Sequence, residues 1–412
     1  MDADSVASIE GNLIRNHADK NIIKILSISS SPAVKEGANF LSIVDRVKIT
    51  VLRQSGRKEK ISLIIKKTPK EEGRQAFVVE SGAFKREIMI YTRVLHSMEK
   101  LMVEFDDNEG KLWCDLVAFN PYDEIVFEDL MGIGFKMTES RHDFLNLDHS
   151  ILVMQALGRF HALSKVLIKK RIIEPNEFAP HFVLGNPKNT EMVFVHCLKG
   201  FGRHVKSWGT EWVQIGNIFI DYASRLATDC EKIGKAPEGS NLIVMNHGDV
   251  WTCNILFKYS RYSQAPIDLR FIDFQLCHYN TAGYDLTYFL FGSVNPQVRR
   301  AHYDLLLNVY VHEMKTTAAI YGLPSEQLPE IDDLKADIKR ILPFRLVTTF
   351  FFRPLFVSRF PFDMEAIVTN VEMVESIGQD INMLSDPNFK EKSEDDLKEI
   401  GAELAEVLRS SP

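Results

Sequence analysis

Asp249 and Asn254 stand five positions apart in the run Asn246-His247-Gly248-Asp249-Val250-Trp251-Thr252-Cys253-Asn254, and Asp273 follows within Phe271-Ile272-Asp273-Phe274. Two carboxylates and an amide in this order are the oxygen set of a phosphoryl-transfer site. In the kinase template the first Asp accepts the proton of the attacking hydroxyl, while the Asn and the later Asp hold magnesium at the ATP phosphates. The spacing therefore predicts Asp249 as the catalytic base and Asn254 and Asp273 as magnesium ligands. Magnesium takes hard oxygens and keeps several waters, so few protein ligands suffice. Taken singly, each residue reads as an ordinary turn, cap or strand-end residue; it is the set that carries the signal. His247 is expected to orient the loop through hydrogen bonds. Asp285, ahead of the apolar residues 286–291, is expected to brace the loop rather than bind metal.

Such chemistry also needs a lysine on the phosphates and a carboxylate to hold that lysine. Residues 46–52 alternate like a half-buried strand, residues 54–57 (Gln-Ser-Gly-Arg) signal a turn, and residues 61–66 form a second strand ending on Lys66. Farther on, Phe84, Ile88, Tyr91 and Leu95 mark a helical stripe with Glu87 beside it. A strand-end lysine is ordinarily a solvated edge residue. Its order ahead of the Asp/Asn/Asp set makes Lys66 the expected phosphate-side cation and Glu87 its holder. No Gly-x-Gly-x-x-Gly precedes these strands. Residues 36–42 (Glu-Gly-Ala-Asn-Phe-Leu-Ser) are the only candidate for a phosphate-covering loop, and they read equally as a plain turn.

These residues resemble the ecdysteroid kinase-like family of insects, within the small-molecule kinases related to choline kinase and aminoglycoside phosphotransferases. The resemblance rests on Ser62-Leu63-Ile64-Ile65-Lys66, Phe84-Lys85-Arg86-Glu87-Ile88, Phe127-Glu128-Asp129-Leu130, Leu157-Gly158-Arg159-Phe160-His161-Ala162-Leu163-Ser164, Asn246-His247-Gly248-Asp249 onward to Lys258, and Phe271-Ile272-Asp273-Phe274-Gln275 through Tyr284-Asp285-Leu286. It implies an α+β, protein-kinase-like bilobal fold with ATP and magnesium as cofactors. A strand-rich N-terminal lobe would span residues 1–126, and a mostly helical C-terminal lobe with the catalytic loop and acceptor site would span residues 127–412. ATP would lie between them, its adenine on residues 127–130 with Glu128 and Leu130 as contacts.

A protein kinase is a poor match. Gly248 stands where those enzymes have the Arg of H-R-D, and Gln275 stands where they have the Gly of D-F-G. Only residues 275–284 separate Asp273-Phe274 from Asp285-Leu286, with no A-P-E after them, so no long segment is present to seat a peptide.

The chain has 412 residues, 45% hydrophobic, enough to bury one large core or two lobes, and its net charge of −7 argues against nucleic acid as a partner. The acidic start lacks the apolar stretch of a secretory signal. The most apolar late stretch, residues 341–362, is broken by Arg345, Arg353, Arg359 and three prolines, so no membrane span is expected there. A cytoplasmic address follows, with no membrane and no obligate protein partner expected. Five cysteines without paired spacing indicate neither a disulfide framework nor a zinc site. His161 reads as a satisfied core histidine and Cys253 as a small packed residue. Residues 126–129 are the expected hinge, Asp148 the expected cap of a helix through Met154, Leu157, His161 and Ser164, and Ser393 with Asp396 the expected capping box of a last, surface helix.

The acceptor is the open question. Phe344, Phe350, Phe351, Phe352, Phe356 and Phe360, with Tyr288, Phe289 and Phe291, line an apolar acceptor pocket or supply core, the commoner use of such runs. A pocket of this kind favours a hydroxylated small molecule such as an ecdysteroid or a plant-derived toxin. Choline or ethanolamine would need an acidic and aromatic cage, and nothing local marks one. A third reading, a hydrophobic-ligand-binding protein on a kinase fold, would be favoured by losses at Lys66, Asp249, Asn254 or Asp273, and all four are intact.

Overall fold

The computed structural model describes residues 21–33, 42–69, 75, 78–79, 81–121, 123–140, 142–178, 187–357 and 384–410. The candidate phosphate loop, apart from Ser42, lies outside the described residues, as do Arg359 and Phe360.

Strands β1 (Ile22–Pro32), β2 (Ile43–Arg53), β3 (Lys58–Lys67), β4 (Leu116–Asn120) and β5 (Glu124–Glu128) form an antiparallel sheet in the order β1-β2-β3-β5-β4. The β2–β3 hairpin closes at the expected turn, where Arg53 donates its N–H to Arg57 C=O at 2.9 Å and Gly56 takes φ 79°. Alternation along β3 decides the site's first residue. Leu63 and Ile65 enter a small core with Val47, Ile49 and Val51, which sends Ile64 and Lys66 to the opposite face. Strand β1 escapes the sequence pattern because register shifts between Ile22 and Lys24 and between Ile25 and Ser27 break its alternation.

Between β3 and β4 runs a continuous helix α1, made of Ala83–Met89, a π-helical turn Ile90–Leu95, and His96–Glu104. Phe84, Ile88, Tyr91 and Leu95 are buried, as the stripe predicts. The chain leaves the sheet after Glu128, just past residue 126, and Asp129 then caps a 3-10 turn, Leu130–Ile133, by accepting the Met131 N–H at 3.2 Å.

The second lobe is built on α2 (Leu147–Lys169), α3 (His196–Val205), α4 (Trp212–Gly234), α5 (Gly283–Gly292), α6 (Pro296–Ile320), α7 (Ile331–Arg340), α8 (Leu342–Val347, continuing through Thr348–Phe352 to Arg353–Val357) and α9 (Pro387–Arg409). Two small antiparallel sheets interrupt it: β6 (Phe135–Lys136) with β8 (Ile255–Tyr259) and β9 (Pro266–Phe271), and β7 (Ile243–Asn246) with β10 (His278–Thr281). Helix α2 is long and apolar enough to cross a membrane by composition, but 72% of that stretch is buried inside the fold, as befits a core helix. It lies close against α6 because Gly158 has no side chain; a Cβ there would sit 2.6 Å from Tyr310 C=O. Helix α5 is the seam between two cores. Its Leu286, Phe289 and Leu290 join the larger one, while Tyr284 and Tyr288 join an aromatic one with α3, α4, α8 and α9.

Two expected caps are corrected. Asn146, extended and accepting the His149 N–H at 3.1 Å, caps α2, and Asp148 falls in its first turn. Helix α9 opens at Asp386, which accepts the Asn388 N–H at 2.9 Å, with Pro387 at the first helical position. Ser393 and Asp396 are therefore interior and buried, and Asp396 is paired with Arg299, Arg300 and Arg353. The last helix accordingly packs a buried face of Phe389, Leu397, Ile400 and Leu404 against the domain.

Candidate active site

The loop between β7 and β8 is held by its backbone. Asp285, in the first turn of α5 and fully buried, accepts the N–H of His247 at 2.6 Å and of Gly248 at 2.9 Å, and the Nε2 of His161 at 3.1 Å. Burial disfavours the Asp285 carboxylate, but these donors and the neighbouring imidazoles hold it below the usual aspartate value. His161 is tied on its other nitrogen to Tyr310 at 2.8 Å. His247 donates from Nε2 to Ile272 C=O at 3.0 Å, and its Nδ1 accepts the Asp249 N–H at 3.3 Å, a neutral-imidazole pattern that agrees with the lowering of its pKa by burial. Gly248 is required here: its φ is 84°, and a Cβ would lie 2.2 Å from Leu276 C=O. The arginine that protein kinases carry at this position has no room.

Lys66 Nζ donates to Glu87 Oε2 at 2.6 Å, to Asp273 Oδ1 at 2.6 Å and to Gln275 Oε1 at 3.3 Å, so two chain-distant segments converge on one ammonium. Burial alone would lower the Lys66 pKa; Asp273 and Glu87 more than offset it and hold the group above the ordinary lysine value. The Glu87 carboxyl is pushed up to about 7 by burial, against the pull of Lys66. Asp273 sits in left-handed backbone at φ 68°, which Asp tolerates better than most residues. Gln275 donates to Asp273 Oδ2 at 3.2 Å and so bridges carboxylate and ammonium.

Asp249 is half-buried and receives two side-chain donors: Tyr288 Oη–H on Oδ1 at 2.8 Å and Asn254 Nδ2–H on Oδ2 at 2.7 Å. Burial, reinforced by the charge of Asp273, pushes its carboxyl up to about 7, the range in which a general base serves near neutral pH. Asn254 also donates to the Asp249 C=O at 3.0 Å, and Ile272 N–H binds Asn254 C=O at 3.0 Å, locking the loop to the strand end that carries Asp273.

The donor set fits magnesium. Because the Asn254 amide nitrogen is turned to Asp249, its oxygen is the atom left for a cation, and each Asp273 oxygen keeps a lone pair beyond its one hydrogen bond. Two hard-oxygen side chains of this kind suit magnesium, which fills its remaining positions with water and substrate phosphates.

Residues 36–323 match the ecdysteroid kinase-like family. The chain belongs to that family. It is thereby placed among small-molecule kinases, on a protein-kinase-like α+β fold. No curated protein matches the chain. The macrolide 2'-phosphotransferase MphH of Brachybacterium faecium, solved as the apoenzyme, is similar over 93% of this chain and 98% of its own, at 7% identity and a TM-score of 0.39.

The family match ends at residue 323, before α8, whose aromatic residues divide into two groups. Phe350 and Phe351 pack inward against Phe201 and Phe194, and Phe289 and Phe291 are buried on α5. Phe344 and Phe356, buried in the same aromatic core, and the partly exposed Phe352 surround the Tyr288 ring beside Asp249. Trp251, half-exposed in the loop between β7 and β8, stacks on Phe356 at 4.4 Å between centroids. Trp251 and the hydroxyl of Tyr288 are the site features that sequence reasoning missed; the place of Trp251 two residues after Asp249 was the available signal. Glu128, at the end of β5, accepts the Asp115 N–H at 3.3 Å through its carboxylate, and Leu130 is buried in the larger core.

Proposed function

We propose that this chain is an ATP- and magnesium-dependent small-molecule O-kinase that phosphorylates a hydroxyl of an apolar acceptor, such as an ecdysteroid or a plant-toxin glycoside, in hormone inactivation or detoxification. The observation that carries the reading is the position of Asp249. On one side its partner Asn254 is tied through the Ile272 N–H to the residue next to Asp273 of the Lys66–Glu87–Asp273 cluster, and on the other Asp249 is bonded to Tyr288 among packed aromatic rings.

In this reading Asp249 orients the acceptor hydroxyl and takes its proton as the new O–P bond forms and the bond from γ-phosphorus to the leaving oxygen breaks; general-base help of this kind is worth about two to four powers of ten. Lys66, fixed by Glu87, neutralises phosphate charge, and Asn254 and Asp273 hold the magnesium. Bound magnesium supplies charge neutralisation between the phosphate oxygens. Residues 127–130, with Glu128 and Leu130, meet the adenine. His247 and Asp285 keep the loop backbone in place. An apolar wall beside the base favours a flat, hydroxylated compound over choline or ethanolamine.

The test is acceptor-dependent ADP release from magnesium-ATP across ecdysteroids, plant phenolic glycosides, choline and ethanolamine, with Asp249→Asn as the control. Turnover on an ecdysteroid or glycoside that disappears in Asp249→Asn is the expected result. Turnover confined to choline or ethanolamine would replace the acceptor class, and ligand capture without any ADP release would favour a binding protein.

A further inference from the structure

We propose that Tyr288 is the positioning residue of the acceptor side: its hydroxyl holds the Asp249 carboxylate in the orientation that meets an acceptor hydroxyl, and its ring ties that carboxylate to the apolar wall. The proposal rests on the reading of Asp249 as the base. Tyr288 lies three residues after Asp285 on α5, so the two side chains share one face of the helix. One helical turn thus fixes the catalytic loop twice. Asp285 takes the backbone N–H groups of His247 and Gly248, and Tyr288 takes the side chain of Asp249.

The hydrogen-bond inventory leaves room for substrate. Asp249 Oδ1 accepts the phenol at 2.8 Å and Oδ2 accepts Asn254 at 2.7 Å, and each carboxylate oxygen has a second lone pair to offer an incoming hydroxyl. Burial and the charge of Asp249 both push the Tyr288 phenol well above its ordinary value, so Tyr288 stays a neutral donor that orients the carboxylate and does not remove a proton. Its ring is 4% exposed and boxed by Phe344 at 6.0 Å and 8°, Phe352 at 5.2 Å and 76°, and Phe356 at 5.8 Å and 84°. An apolar acceptor resting on the partly exposed Phe352 therefore bears on the same ring that orients the base. Acceptor fit is read at the reacting oxygen.

Tyr288→Phe removes the hydroxyl and keeps the ring. Urea unfolding of the wild type, Tyr288→Phe, Asp249→Ala and the double variant reads the contact with no substrate present. The expected result is a midpoint loss in the double variant clearly smaller than the sum of the two single losses; strict additivity overturns the proposal. The second readout is ADP release from magnesium-ATP with ecdysone as probe acceptor and with water alone. Tyr288→Phe is expected to lower kcat about tenfold to a hundredfold with acceptor KM nearly constant, as misplacement of a reacting group does. A packing role alone would move KM and midpoint together. If Tyr288→Phe keeps wild-type kcat on an acceptor that Asp249→Asn cannot turn over, the proposal falls and the reading of the site stands. If Asp249→Asn itself turns over at the wild-type rate, that reading falls, and the unfolding cycle alone decides whether Tyr288 holds Asp249.

Discussion

Asp249 stands between two neighbourhoods of opposite character. On one side are Lys66, Glu87, Asp273 and Gln275, joined by short polar contacts; on the other are Tyr288, Phe344, Phe352, Phe356 and Trp251, joined by ring packing. The polar side comes from β3, α1 and the segment after β9, all inside the stretch that matches the family, whereas most of the apolar side comes from α8, beyond residue 323. In the proposed reading the polar half serves phosphates, which calls for these residue types in one geometry. In the same reading the apolar half meets the acceptor, where shape rather than residue type is what counts.

The largest effect separating the halves is expected at Lys66. Lys66→Met leaves Glu87 and Asp273 crowded without a counter-charge, a loss of about 3 kcal/mol when one partner of a buried pair is removed. Urea unfolding reads that loss, and magnesium-ATP affinity should fall with it; unchanged nucleotide binding would detach the cluster from the phosphates. Next comes Gly248→Ala. With φ at 84° and a Cβ forced to 2.2 Å from Leu276 C=O, it should cost roughly 2 kcal/mol in the same assay and shift the catalytic loop. Wild-type stability there would mean the loop adjusts freely. Phe352→Ala should act on the apolar half alone, raising acceptor KM about tenfold while ATP KM holds, as the loss of one aromatic contact predicts. Equal changes in both KM values would place Phe352 in the core.

The remaining expected effect is on pH dependence. The Asp249 and Glu87 carboxyls are raised to about 7 in the folded chain from ordinary values of 3.8 and 4.5. The folded state binds those protons more tightly, so the stability they contribute is fully present below the unfolded values and is lost as pH rises through about 7. Unfolding measured on both sides of that window should show Asp249→Asn with a shallower slope than wild type; identical slopes would place Asp249 in a more solvated setting.

Much of the polar half was legible because short-range order and residue chemistry travel together there. The Asp/Asn spacing falls in one loop, and β3 alternation aims Lys66 at the α1 face that carries Glu87. The hairpin at Gly56 and the stripe of α1 follow from local pattern in the same way. What stayed hidden depends on distant contacts or on broken periodicity. Strand β1 is bulged, so its alternation is lost. The aromatic run of α8 has no inside or outside until α5 is laid against it, after which Phe350, Phe351 and Phe356 are buried in the aromatic core and Phe352 is left partly exposed beside Tyr288. Asp396 looked like a cap because its arginine partners lie on α6 and α8, far away in sequence.

The most direct measurement is the product itself: phosphorus NMR and mass spectrometry of ecdysone incubated with magnesium-ATP and either wild-type protein or Asp249→Asn. A phosphate ester formed by the wild type and absent with Asp249→Asn is the predicted result. ADP release with no phosphate ester on the acceptor, or equal ester with both proteins, would contradict the account.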